Sequence, residues 1–169
     1  MPVIDVQKDL DNRRLTMTAQ FAAPVERLWQ LYADPRQLEK VWGPPTHPAT
    51  FVDHSLTPGG RMNYYMTAPD GQRYYGFWAV TEVEEPTRFS FDDGFADEHF
   101  NEDPALPVGH NVYSFSTHDG GTRAVFESEY PTVEALQQVL DMGVIEGATA
   151  AINQIDEFLT ADRSAAASR

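Results

Sequence analysis

The stretch VEALQQVLDMGVIEGATAAINQIDEFL, residues 133–159, decides the fold. Val133, Leu136, Leu140, Val144, Gly147, Ala151, Ile155 and Phe158 recur at steps of three and four, so a single α-helix would carry them all on one face. At about 1.5 Å per residue that helix is roughly 40 Å long, and its apolar face needs a sheet to cover it. The middle of the face is thin. Gly147 and Ala151, with Gly143, Ala148 and Ala150 beside them, are too small to fill the space under a concave sheet, which predicts a hollow there. The same small residues also let backbone and sheet approach closely, and the residues alone leave both readings open.

The sheet is written upstream. Leu15, Met17, Ala19 and Phe21 alternate with Arg14, Thr16, Thr18 and Gln20, the period of a strand with one wet face. Pro24 suits a helix start, and Val25, Leu28, Trp29 and Tyr32 follow at helical spacing. Asp34, Pro35 and Gln37 then open a second short helix, with Asp34 as N-cap and Gln37 placed for a capping box. From residue 49 the period becomes two, with turn residues at 58–60, 69–71 and 85–86 separating strands near 49–56, 61–67, 73–83 and 87–92. Gly76 makes the inner face of the third of these unassignable, because it fits a bulge. Residues 93–109 lack periodicity and read as a long loop of the kind that serves as a lid. Strands resume at 111–117 and 122–130, the latter with Ala124, Phe126, Ser128 and Tyr130 on its dry face, and Thr132 caps the long helix. The expectation is an α+β domain over residues 11–160, an antiparallel sheet gripping one helix, with an N-terminal extension at 1–10 and an Ala/Ser-rich disordered tail at 161–169.

Composition removes several function classes. A chain of 169 residues suits one core. The absence of cysteine excludes disulfides, thiolate catalysis and thiolate metal sites. The net charge of −14, from 12 Lys and Arg against 26 Asp and Glu with no basic patch, argues against nucleic acid as a partner. No apolar run approaches the roughly 20 residues of a membrane span, so neither membrane insertion nor secretion is expected and a cytoplasmic location is. Nine acids and one Arg fall within residues 82–103, a solvated loop or a surface for a basic partner.

Trp42, Tyr64, Met66 and Trp78 are the side chains expected at the hollow, since flat or flexible apolar groups beside a small-residue stripe hold a hydrophobic ligand. Ordinary core packing uses the same residue types. His110, Tyr113 and Ser128 lie on strands that would line the wall, where polar groups orient a ligand oxygen. The five histidines have no metal-ligand spacing, no serine sits in a nucleophile elbow, and no cofactor is implied. Asp53 and His54 are adjacent on a strand, so they point to opposite faces and do not form a working pair.

Residues 21–29 (Phe21-Ala22-Ala23-Pro24-Val25-Glu26-Arg27-Leu28-Trp29), Asp34-Pro35, Trp42-Gly43-Pro44, Pro58-Gly59-Gly60, the run Met66 to Gly71, Gly76-Phe77-Trp78, the run Asp93 to Asp97 and the run Met142 to Gly147 together resemble the family similar to the activator of the heat-shock-protein-90 ATPase, within the START-like (SRPBCC) superfamily. The resemblance spans about residues 6–159. It implies the helix-grip fold, a curved seven-stranded antiparallel sheet around a C-terminal helix, enclosing a hydrophobic pocket. It also implies two kinds of activity, binding of a hydrophobic small molecule and a cyclase- or hydrolase-type reaction on a polyketide-like or lipophilic substrate; a third reading, a co-chaperone-like protein-interaction module, rests on the acidic stretch 82–103. Where relatives carry two adjacent tryptophans this chain has Val41-Trp42. Self-association as a homodimer is left open by the edge strands.

Overall fold

The computed structural model describes residues 2–167. Strands β1 (Val3–Asp9) and β2 (Arg14–Phe21) lead into helices α1 (Val25–Ala33) and α2 (Pro35–Val41). Six strands follow, β3 (Ala49–Asp53), β4 (Arg61–Thr67), β5 (Arg73–Glu84), β6 (Arg88–Ala96), β7 (Gly109–His118) and β8 (Gly121–Glu129), and then α3 (Val133–Asp141) and α4 (Val144–Ala167). All pairings are antiparallel in the order β1-β2-β8-β7-β6-β5-β4-β3. This is the α+β helix-grip architecture, with eight strands where seven were expected. The added strand is β1, read from the sequence as part of an extension. It is an edge strand exposed along nearly its whole length, so it shows no alternation of buried and exposed residues to betray it.

The long C-terminal helix is two helices. Met142 ends α3, its N–H donating to the Gln138 carbonyl, and Gly143 takes φ +86°, a left-handed conformation that residues with a Cβ rarely adopt. The step of four from Leu140 to Val144 spans the break, so the apolar periodicity runs through it without a gap. The two halves bury different faces. In α3, Leu136 and Val139 pack with Leu15 and Tyr130, whereas in α4, Ile152, Ile155 and Leu159 join the main core. Replacing Gly143 by Ala is expected to destabilise the fold by about 1 kcal/mol, read as a lower urea midpoint at unchanged slope. An unshifted midpoint would mean that the break costs nothing to a side chain.

Local signals set the other boundaries. The Asp34 carboxylate accepts from the Arg36 backbone N–H at 2.9 Å and from Gln37 Nε2 at 3.0 Å, and Thr132 Oγ1 accepts from the Ala135 N–H at 3.0 Å. Gln154 donates through Nε2 to the Gly43 carbonyl, and Arg27 pairs with Asp162 at 3.1 Å, so α4 is tied to α1 and to the turn after α2. Helical backbone continues to Ala167, through most of the stretch expected as a tail; residues 168 and 169 lie outside the described residues. The stretch read as a lid is also revised. Its first four residues complete β6 and its last, Gly109, opens β7; between them Phe100 meets Tyr75 edge-on at 5.6 Å and its carbonyl accepts from Arg61 Nη2, while Pro107 reaches the cavity beside the α3–α4 break.

Candidate functional site: an internal cavity

Between the sheet and α4 lies a cavity of about 270 Å³. Its roof is the thin part of the helical face. Gly147, Ala148 and Ala151 line it, and a Cβ placed on Gly147 would meet nothing within 4 Å, so the small residues do leave room. The floor comes from inward residues of β2, β4, β7 and β8, Leu15 and Met17, Tyr64 and Met66, Tyr113, and Phe126, while Leu38, Val41 and Trp42 close one end from α2 and its C-cap. A second cavity of about 250 Å³ adjoins the α3–α4 break, lined by Pro107, Val139, Met142 and Gly143 among others. Tyr64, Asp93, Tyr130 and Val144 line both, so these side chains stand at the partition between the two spaces.

Glycines make room for that partition. Gly76 pairs with Tyr64 across β4–β5, and a Cβ on Gly76 would come within 2.6 Å of the Tyr64 ring; one on Gly109 would come within 2.9 Å of the Tyr130 ring. Gly76 is therefore a seat for an aromatic ring. Gly76, Trp78 and Val80 alternate inward in regular register, and the irregularity falls later, between Val80 and Glu82, where it shifts the inward parity to Val83 opposite Phe89.

The cavity has one polar end. Ser128 Oγ donates to Asn111 Oδ1 at 2.6 Å, and Asn111 Nδ2 donates to the Gly109 carbonyl at 3.3 Å. Nearby, the Tyr64 hydroxyl donates to Asp93 Oδ1 at 3.4 Å. Asp93 is half-buried because it faces the two cavities, yet their apolar and aromatic walls desolvate its carboxyl, and that burial pushes its pKa up to about 7 against the small opposing effect of the Tyr64 hydrogen bond. Burial, reinforced by the Asp93 charge, holds the Tyr64 phenol well above its usual value, and burial does the same for Tyr113. The Trp42 indole N–H, which slightly favours an ionised Tyr64, meets no acceptor at hydrogen-bonding geometry.

Of the ten residues expected at the site, seven line the main cavity: Trp42, Tyr64, Met66, Tyr113, Ser128, Gly147 and Ala151. Trp78 does not. It is 0% exposed, stacked on Phe91 at 3.9 Å, and touches the site only through Trp42, whose ring meets it edge-on at 4.7 Å. His110 lies on the outer face of β7, where Nδ1 pairs with Asp92 Oδ1 at 2.8 Å, because its neighbours Asn111 and Tyr113 take the inner positions of alternate parity. Gly143 makes the helix break and lines only the second cavity. Asp93, Asn111 and Tyr130 were not anticipated. Phe89, Phe91 and Asp93 share the strand parity that points inward, but the strand expected from the sequence stops at 92, four residues short of its end at Ala96, and so leaves Asp93 in a loop. Asp53 and His54 diverge as expected, Asp53 to Asn63 and His54 to the Tyr32 carbonyl. Among the described residues no three His, Asp or Glu side chains converge as a metal site, and no helix is long and apolar enough to cross a membrane.

The family model described as Activator of Hsp90 ATPase homolog 1-like protein matches residues 22–160. The chain belongs to this family. Solved structures extend the likeness of this Hsp90 ATPase activator homologue-like chain to its whole architecture. A crystal structure from Mycobacterium smegmatis is 67% identical, covering 94% of this chain and 97% of that one with a TM-score of 0.87. A solution NMR structure from Arthrobacter aurescens is 43% identical over 94% of this chain and 92% of that one, TM-score 0.90. One from Staphylococcus epidermidis is 26% identical, covering 94% and 95%, TM-score 0.82. No curated protein matches the chain.

Proposed function

We propose that this protein binds a hydrophobic small molecule in the internal cavity and so sequesters, carries or senses it in the cytoplasm. The observation that supports the reading is the cavity of about 270 Å³ whose walls are aliphatic and aromatic, with Asp93, Asn111 and Ser128 gathered at one end. Binding sites for small molecules combine mostly apolar walls with a few placed polar groups in this way. The decisive experiment fills the space. Gly147→Leu puts a side chain where a Cβ meets nothing within 4 Å and replaces a poor helix former, so it is expected to fold with equal or higher stability, by up to about 1 kcal/mol. It is also expected to lose the thermal shift that the unaltered protein shows with lipophilic compounds, which at a hundredfold excess over Kd corresponds to about 2.7 kcal/mol. If a broad lipophile panel shifts neither protein, and native mass spectrometry of freshly expressed material finds no guest, the reading fails.

One observation favours a second reading, a cyclase- or hydrolase-type enzyme acting on a polyketide-like or lipophilic substrate. A carboxyl that titrates near pH 7 beside a phenol is suited to general acid–base chemistry. Turnover of such a panel that disappears in Asp93→Asn would replace carriage by catalysis. A co-chaperone-like contact has less support from the acidic segment, several of whose carboxylates are engaged locally: Asp97 accepts from the His99 and Asn101 N–H groups, Asp103 from Ala105, and Glu82 from Arg88.

A further inference from the structure

Resting on the cavity reading, a more specific statement concerns the chemical class of the guest. Asp93 sits where the two cavities meet, and its one hydrogen-bond partner among the described residues is the Tyr64 hydroxyl, at the long distance of 3.4 Å. Among the described residues no lysine, arginine or histidine lines either cavity, so they supply this carboxyl with no cation. The groups around it are aromatic. Tyr64 comes from β4, Tyr113 from β7 and Tyr130 from just after β8, with Tyr32 of α1 and Trp42 further along the same wall; Val144 and Gly147 of α4 bring nothing ionisable, and Trp78, its register partner on β5, is apolar toward the core. An acidic group within a cage of aromatic rings is the arrangement that receives an organic cation, because ring faces and carboxylate attract the same positive charge. A ligand carboxylate or phosphate would find no side chain of opposite charge there, and above the titration of Asp93 it would face a like charge. We infer that the guest is a lipophilic amine, its alkyl or aryl body under Gly147 and Ala151 and its ammonium group against Asp93, between Tyr64 and Tyr130.

Three probes of equal bulk separate this from its alternatives: phenylbutylamine, phenylbutanol and phenylbutyrate, titrated calorimetrically into the full chain at pH 8. The amine is expected to bind at least about tenfold more tightly than the alcohol, with the carboxylate weakest, and Asp93→Asn is expected to remove the amine's advantage over the alcohol. The unaltered protein carries an independent signature. The amine stays protonated, so once the pH is below the carboxyl's own titration each further unit should weaken amine binding by about tenfold, a slope the alcohol lacks. That profile decides the matter even if Asp93→Asn does not fold. Alcohol or carboxylate binding as tight as the amine's, or an amine preference that survives Asp93→Asn or stays flat with pH, overturns the amine assignment and leaves the cavity reading intact. Binding by none of the three overturns both.

Discussion

Trp78→Ala is expected to lower stability by about 3–5 kcal/mol, and Trp78→Phe by clearly less. The indole is completely buried, stacks on Phe91 at 3.9 Å with planes 17° apart, continues to Phe89 at 6.1 Å, and backs Trp42 and Phe51 edge-on. Truncation would remove the centre of that aromatic stack and leave a void that close packing around four rings cannot collapse. The phenylalanine variant keeps most of the stack. It also removes a buried Nε1–H that has no acceptor, so part of the lost packing is offset by relief of an unmet donor. Guanidinium unfolding of the three proteins gives the stabilities, and the same preparations give the binding contrast: Trp78→Phe should retain ligand affinity, because Trp42 and not Trp78 faces the cavity. If Trp78→Phe were to fold normally but fail to bind, the indole would have to be moved from the core to the site.

The pair Trp42 and Trp78 shows where the sequence stops being legible. Both are aromatic residues on elements that border the hollow, and only the three-dimensional neighbourhood separates the ring that faces space from the one that faces other rings. Where a residue's role follows from its immediate neighbours, the chain reads well. Asp34 with Gln37, Thr132 and the alternation of Leu15 to Phe21 all do what local chemistry requires of them. Two misreadings share a different cause. The edge strand β1 is wet on both faces, so strand periodicity has nothing to act on. The helix break at Gly143 hides behind an apolar pattern that runs on across it, with Leu140 before the break and Val144 and Ile145 after it packed on the same cluster. The miss at Asp93 is of a third kind. An acidic residue ending an apolar alternation looks like the first residue of a loop, and nothing in its type reveals that β6 runs three residues further and carries it inside. The hollow itself was legible because small side chains on a buried helical face have few other uses. The chemistry at its end was not, because it depends on one charged residue breaking a local rule, which is where functional groups tend to lie.

That exception has a consequence for stability against pH. The Asp93 carboxyl titrates at about 7 in the folded protein and near the ordinary aspartate value of 3.8 when the chain is unfolded, so between those values the folded state holds a proton that the unfolded state has released. The stabilisation is therefore complete below pH 3.8 and is lost as pH rises through 7, up to about 4 kcal/mol in all. Other groups slope the opposite way or add a common background. Asp34, whose carboxyl is held below its usual range by hydrogen bonds from Gln37 and Arg36, loses its contribution only in acid, and the general repulsion of a chain with net charge −14 grows with pH in every variant. Asp93→Asn isolates the term of interest, since the amide has nearly the same shape and cannot ionise. Relative to the unaltered protein, Asp93→Asn should gain stability steadily between pH 4 and pH 8, so that the two urea midpoints diverge most in alkali, by a few kcal/mol at the upper end. A lipophilic amine should close that divergence from the other side, because a cation against Asp93 restores at high pH what deprotonation removes. Parallel stability profiles for the two proteins without ligand would mean that Asp93 is solvated as an ordinary surface carboxylate, and the charged end assigned to the cavity would go with it.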